Sequence, residues 1–477
     1  MLCFEVLMSS EGKRREDFPL RGKYRRQAGI GVHFRRAPAR FACLSMPARG
    51  AVVWFYHKRR LTRIKWRPPP AAAGGIYTHR RQRRPPQPSA RRAVKLKNPH
   101  APGVSKNLDK RPEILYDYRV MEESDLVIDK QMISKSLSKW GVDGLFVEKD
   151  ENLRYISGFT GSDSYLFVTA DAFYLLTDSR YVEQAKEEAK GFTVVDYKGK
   201  LAEVLAKLSK SHHVRKLGIE SVLSYRMYLS FDETMPDVDF EFCPVDEVRR
   251  IKSEAELSLL KRACEISDEG FRNTIPYIRA GVTERYLQAV LECEMLKAGS
   301  EGKSFDTIVA SGERGAYPHG TATDKVIEEG DLITFDFGAI YKGYHSDITR
   351  TVAVGNISSR QRFLYDKVLG CNEHVESLLK AGMRADEADT AAREYLKAFE
   401  LDGYFTHALG HSVGLEIHEA PVLAQRDHSV LEVNMTETVE PGVYLPGTGG
   451  VRIEDTVVIK QDGISILTLF PKKFLQV

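Results

Sequence analysis

The chain has 477 residues, 42% hydrophobic and 29% charged, the balance of an ordinary soluble protein long enough for two or three domains. No apolar run approaches the roughly 18 residues of a membrane-spanning helix, the start lacks the basic-then-apolar order of a secretory signal, and six scattered cysteines without a CxxC pair read as reduced thiols. These features exclude a membrane span and a disulfide scaffold, and they point to a cytoplasmic protein.

The net charge of +4 hides an asymmetry. Residues 1–108 hold 26 lysines and arginines against four acids, a net of +22, so the remainder carries −18. Residues 1–120 contain WRPPP and RRQRRPPQPSARR with no sustained helical or strand period. They are expected to be a disordered Arg/Pro-rich extension or an over-extended start, with Met121 as the natural beginning. A targeting or nucleic-acid-binding arm is the weaker reading, so nucleic acid is not an expected partner.

From Asp129 a helical pattern runs to Trp140, followed by the strand GLFVE, the strands YLFVTA and AFYLLTD, and the helix SRYVEQAKEEAK. FTVVDY, a helical stretch to about Lys210 and KLGIES continue the alternation, which makes residues 121–248 an α/β domain. Ser253 and Glu256 have capping-box spacing and open a helix with an apolar face at Leu257, Leu260, Cys264 and Phe271. A second helix runs from Thr283 to Gly299, and hairpin-like strands follow. Residues 249–477 therefore form an α+β domain.

Four acids stand in strand-like sequence, where a solvated carboxylate is not expected: Asp336 in LITFDFG, Asp347 in YHSDITRT, Glu440 in TVEPGVY and Glu454 in GVRIEDTVVI. The turn YKGYH brings the first two together, and GVYLPGTGG repeats the arrangement for the second two. Such an echo points to pseudo-two-fold halves facing one site. Between them HALGHSVGLEIHE supplies His407, His411 and His418. Four carboxylates balance two divalent ions, with a neutral imidazole and a bridging hydroxide completing the cluster.

In order along the chain, SFDTIVASG, YPHG, FDFGAIYKGYHSDITRT, HALGHSVGLEIHEAP, EPGVY and GGVRIEDTVVI resemble the metallopeptidase family of aminopeptidase P and prolidase, while NLRYISGFTGS and VRRIKSEAEL resemble that family's creatinase-like amino-terminal domain and domain junction. The resemblance implies an α/β amino-terminal domain followed by a pita-bread catalytic domain, assembled as a homodimer. It implies that Asp336, Asp347, His411, Glu440 and Glu454 bind two divalent metal ions, manganese being expected and cobalt or zinc possible. It implies substrate-binding or catalytic roles for His319, His407 and His418, and places Arg452 beside the site. Glu440 is then the general base for the water between the ions, with His319 and His418 stabilising the oxyanion and orienting the proline side.

The activity implied is hydrolysis of the bond before proline in a peptide, by an Xaa-Pro aminopeptidase or, as the alternative, an Xaa-Pro dipeptidase. Methionine aminopeptidase, which needs no preceding α/β domain, and an inactive peptide-binding module rank below both. Because the extension shows no core-forming pattern, a chain lacking residues 1–120 is expected to keep its fold and its peptidase activity. Circular dichroism and hydrolysis rates of the truncated and full-length proteins check this.

Overall fold

The structure, a computed structural model, describes residues 52–57, 60–65 and 130–477. The chain divides into two compact units, Met1–Arg111 and Pro112–Val477. In the first, strands β1 (Val52–His57) and β2 (Arg60–Lys65) form an antiparallel pair. The rest of the basic extension, with the expectation of disorder attached to it, lies outside the described residues.

The second unit opens with α1 (Lys130–Trp140), β3 (Gly144–Val147), α2 (Asp150–Ser157), β4 (Tyr165–Thr169), β5 (Phe173–Thr177) and α3 (Val182–Glu188). It continues with β6 (Thr193–Asp196), α4 (Leu201–Ser211), β7 (Lys216–Ile219), α5 (Tyr225–Thr234) and β8 (Asp239–Phe242). The strands make one mixed six-stranded sheet in the order β6-β5-β4-β3-β7-β8. Its central strands β3 and β4 read as nearly continuous apolar runs because both faces are covered. Leu145 and Val168 pack on one side, Phe146 and Phe167 on the other. Helices α2 and α5 and the edge strand β8 were not expected from the sequence. Helix α2 spans eight residues and β8 four, so their amphipathic patterns, with Leu153, Tyr155 and Ile156 buried on α2 and Asp-Phe-Glu-Phe alternating in β8, are brief.

A 3-10 turn, Val245–Arg249, leads into α6 (Glu254–Thr274), α7 (Glu284–Lys297), β9 (Ile308–Ser311), β10 (Leu332–Phe337), the small hairpin β11 (Ile340–Tyr341) and β12 (Tyr344–His345), and β13 (Ile348–Ala353). Then come α8 (Ser359–Leu378), α9 (Ala385–Lys397), β14 (Gly410–Ser412), β15 (Glu419–Leu423) and β16 (Thr436–Val439). The hairpin β17 (Gly442–Leu445) and β18 (Gly449–Arg452) precedes β19 (Asp455–Lys460), β20 (Gly463–Ile466) and β21 (Leu475–Gln476).

Two halves are visible in this order. Each has two helices, then an antiparallel strand pair interrupted by an inner hairpin: β10 with β13 around β11 and β12, and β16 with β19 around β17 and β18. The helix starts match as well. The Ser253 hydroxyl accepts the Glu256 amide while the Glu256 carboxylate accepts the Ser253 amide, and Ser358 with Gln361 makes the same reciprocal pair at α8. The second helix of each half follows a positive-φ glycine, Gly281 or Gly382, where a side chain would be strained. Helices α6 and α7 also cross at Gly270, where any Cβ would collide with Met295. Helices α8 and α9 were not expected either; the Ser358–Gln361 spacing was their legible signal.

The two halves fold as a four-stranded sheet, β21-β13-β10-β9, and a three-stranded sheet, β16-β19-β20, with separate apolar cores around Phe271, Phe335 and Phe337 and around Val368, Val439 and Ile453. No described helix is long and apolar enough to cross a membrane. Because each capping box satisfies two helix-terminal donors, Ser253→Ala and Ser358→Ala should each lower unfolding free energy by about 1 kcal/mol. Chemical denaturation of the two single variants measures it.

Candidate active site

Asp336 lies within β10, opposite Thr349 of β13. Asp347 comes directly before β13, Glu440 directly after β16, and Glu454 between β18 and β19. The strand context expected from sequence thus holds fully for Asp336 only. The other three sit where the chain leaves the ladder, which frees the backbone to turn a carboxylate inward. Oxygens of Asp336, Asp347 and Glu454 all lie within 4.8 Å of one another. His411 on β14 closes the group, with Nε2 3.6 Å from Asp347 Oδ2 and 3.5 Å from Glu440 Oε1. Strand β14 comes this close to β16 because of Gly410, where a Cβ would strike the Thr438 carbonyl.

The hydrogen bonds around these groups set which atoms face inward. His411 Nδ1 is 3.1 Å from the Ser412 carbonyl, which can only accept, so Nδ1 carries the hydrogen and Nε2 turns its lone pair toward the acids. Thr349 donates to Glu454 Oε2 at 2.6 Å, and Thr438 to Glu440 Oε1 at 3.3 Å. Asp336 Oδ1, Asp347 Oδ1 and Glu454 Oε1 are buried and have no protein donor. Orphaned buried oxygens beside a lone pair make a donor set for hard divalent cations. Four carboxylates face a single guanidinium, Arg452, which donates to Asp336 Oδ2 at 2.6 Å. The site is therefore short of positive charge, and the residues present fit divalent ions.

Electrostatics agree. Burial, then the neighbouring acids, push the Asp347 and Glu454 carboxyls well above the ordinary range. Burial is also the first cause that pushes Glu440 up to about 8. Burial lowers His411 and His407 to about 4, so both are neutral at pH 7, the state a metal ligand requires.

The cluster lines a cavity of about 450 Å³ together with His319, His407 and His418 and the apolar side chains of Phe305, Ile308, Ile417 and Val422. The nine residues singled out from sequence thus border one space. They differ in availability. His407 is occupied at both nitrogens: Nδ1 donates to the Ala408 carbonyl at 2.7 Å and Nε2 accepts from Tyr444 at 2.9 Å. His319 and His418 are exposed, and no described residue hydrogen-bonds their rings, although the His418 ring lies edge-on to His411 with centroids 4.4 Å apart. Tyr444 and Thr349 were not singled out in advance. Tyr444 accepts from Arg452 at 2.7 Å, and Thr349 accepts from Arg452 at 3.1 Å, so both hold the guanidinium in place. Their signal was position within EPGVY and SDITRT, beside the acids.

Comparison with known proteins gives two family matches: Metallopeptidase family M24 over residues 258–461, and the Creatinase/Prolidase N-terminal domain over residues 131–251. The Xaa-Pro dipeptidase of Pyrococcus furiosus is 40% identical over 348 residues, covering 72% of this chain and 99% of that protein. Among solved structures, an Xaa-Pro dipeptidase from Bacillus anthracis superposes with TM-score 0.71 at 41% identity, covering 73% of this chain and 99% of its own. An X-Pro aminopeptidase from Thermotoga maritima MSB8 superposes with TM-score 0.68 at 39% identity, covering 72% and 100%.

A metal-stripped site makes a testable prediction. Glu440 ionises near 8 in the fold against about 4.5 when unfolded, so the stability it contributes is complete below pH 4.5 and is lost as pH rises through 8. Melting temperatures of chelator-treated protein should fall as pH rises from about 4.5 to about 8 and level off above that, and added manganese should restore them most at the alkaline end. A gain from manganese that is independent of pH would contradict the assignment of these acids to the ions.

Proposed function

The chain belongs to metallopeptidase family M24, with a creatinase/prolidase amino-terminal domain and the pita-bread fold, and we propose that it is an Xaa-Pro dipeptidase using two manganese ions held by Asp336, Asp347, His411, Glu440 and Glu454. Family membership makes it a metal-dependent peptidase hydrolase. The narrower reading is supported by the convergence of all five side chains on one cavity, and by two relatives of near-complete coverage that carry the dipeptidase name. Residues 121–248 and 249–477 are proposed as its two domains.

Bound divalent ions supply Lewis acidity toward the scissile carbonyl and acidify a water at the site. The chain's own groups do the rest. Glu440 is the proposed base, taking a proton from the attacking water and returning it to the proline nitrogen as the bond breaks. Neutral His411, its Nδ1–H tied to Ser412, keeps Nε2 unprotonated. Arg452 is locked by Asp336, Tyr444, Thr349 and the Pro318 carbonyl, so it compensates charge without moving. His319 and His418, free at the rim, are proposed to hold the carbonyl oxygen and the proline side of the substrate.

One observation favours the aminopeptidase as a second reading. An enzyme confined to dipeptides must bind the carboxylate that follows the proline. Among the described residues, Arg452 is the one lysine or arginine lining the cavity, and it is already spent on Asp336. Among the described lining residues, the free histidines and the Thr321 hydroxyl remain to receive that carboxylate. With manganese added, rates on Xaa-Pro, Xaa-Pro-Yaa and Xaa-Ala substrates separate the readings. The expected result is faster turnover of the dipeptide than of the tripeptide, with alanine substrates slower by at least about tenfold. Faster tripeptide cleavage would make the protein an aminopeptidase, and equal rates on alanine and proline would remove proline specificity.

A further inference from the structure

The His418 ring has no hydrogen-bonding partner among the described residues, so its place at the cavity is set by the backbone of the segment that carries it. That segment, residues 411–419, is folded around a buried carboxylate. Glu419, directly after His418, accepts the Glu416 amide at 3.3 Å and lies so close to Gly414 that a Cβ there would not fit. The charges that hold Glu419 come from the turn joining the α/β part to α6. Arg249, 2% exposed, pairs with Glu419 through Nη1 and with Glu416 through Nη2. Lys252, also 2% exposed, reaches Glu419 Oε2 and Ser412 Oγ, each at 3.1 Å.

The same guanidinium is anchored on its other side. Arg249 Nε donates to Asn152 Oδ1 at 2.7 Å, and Asn152 is a buried residue of α2 in the amino-terminal sheet domain. Lys149, just before α2, pairs with Glu416 as well. One buried arginine therefore bridges the first helix-strand layer and both ends of the stretch 416–419. Burying several charges is costly and rarely improves on apolar packing for stability alone. What such a fork does well is fix geometry, since its planar donors admit few arrangements.

We propose that Arg249 is a positioning residue for hydrolysis, transmitting the placement of the amino-terminal domain to His418 through Glu416 and Glu419. The proposal rests on the reading of His418 as a substrate-side group. A displacement of the ring by an ångström leaves binding largely intact but misorients the reacting bond, so the loss falls on kcat.

The test uses the manganese-loaded full chain. Arg249→Lys keeps the charge and loses the fork. It should lower kcat about 10- to 100-fold on an Xaa-Pro substrate, with KM changed less than about threefold, and amide hydrogen exchange in 413–419 should quicken. Lys149→Met, on the far side of the junction, should act the same way but by about threefold, and it carries the test if Arg249→Lys does not fold. Both changes must occur together. A lowered melting temperature with unchanged kcat, or a lowered kcat with unchanged exchange in 413–419, overturns the proposal. If the unsubstituted protein does not cleave Xaa-Pro bonds, the functional reading fails, and the exchange measurement alone decides whether Arg249 orders the segment.

Discussion

Four carboxylates held within a few ångströms in a buried space repel one another, and this constraint organises the catalytic half of the molecule. Such a cluster is tolerated only if cations enter or protons stay on, and the raised ionisation of Asp347, Glu440 and Glu454 reflects burial and that mutual repulsion. The fold meets the repulsion with geometry. Two strand pairs, each rigidified by its own sheet and its own helices, deliver two acids apiece to a common centre. Neither half supplies all of the clustered acids, so the cluster exists only where the halves face each other.

Around this centre the protein keeps its own positive charge tightly assigned. Arg452 is bonded to Asp336, Tyr444, Thr349 and Pro318, which leaves it no freedom to displace a metal ion. Behind Glu454, Arg350 binds the Glu454 carbonyl and Asp455, and Lys472 joins Asp455 to Glu376. Asn372, bonded to Lys472, donates to the carbonyl of Val439 next to Glu440. The clustered acids are thus braced from behind by buried ion pairs, whose merit is directional rather than energetic. The junction cluster of Arg249 and Lys252 braces the histidine-bearing segment in the same manner.

Availability separates the three histidines more sharply than their shared motif does. His407 closes a bonded chain from Ala408 to Tyr444, whereas the exposed rings of His319 and His418 have no hydrogen-bonding partner among the described residues. A motif records that an imidazole is present. It does not record whether both nitrogens are already engaged, because the engaging atoms, a backbone carbonyl and a tyrosine 37 residues away, are brought there by folding.

The sequence by itself was sufficient for the alternation of the first domain and the capped starts of α6 and α7, and it singled out the four acids Asp336, Asp347, Glu440 and Glu454, since these depend on local pattern and on the improbability of acids in apolar strands, whereas the choice of His411 among three histidines rested on the family resemblance. Helices α8 and α9 escaped notice, although Ser358 and Gln361 carried a readable cap. The strand-edge placement of Asp347, Glu440 and Glu454, the locking of Arg452 by Tyr444 and Thr349, and the bridge from Asn152 through Arg249 to Glu419 were decided only by tertiary structure. Each of these joins residues that pattern reading treats separately, up to 170 positions apart. A buried polar group takes whichever partner the packed chain brings within reach, and that choice has no local period to betray it.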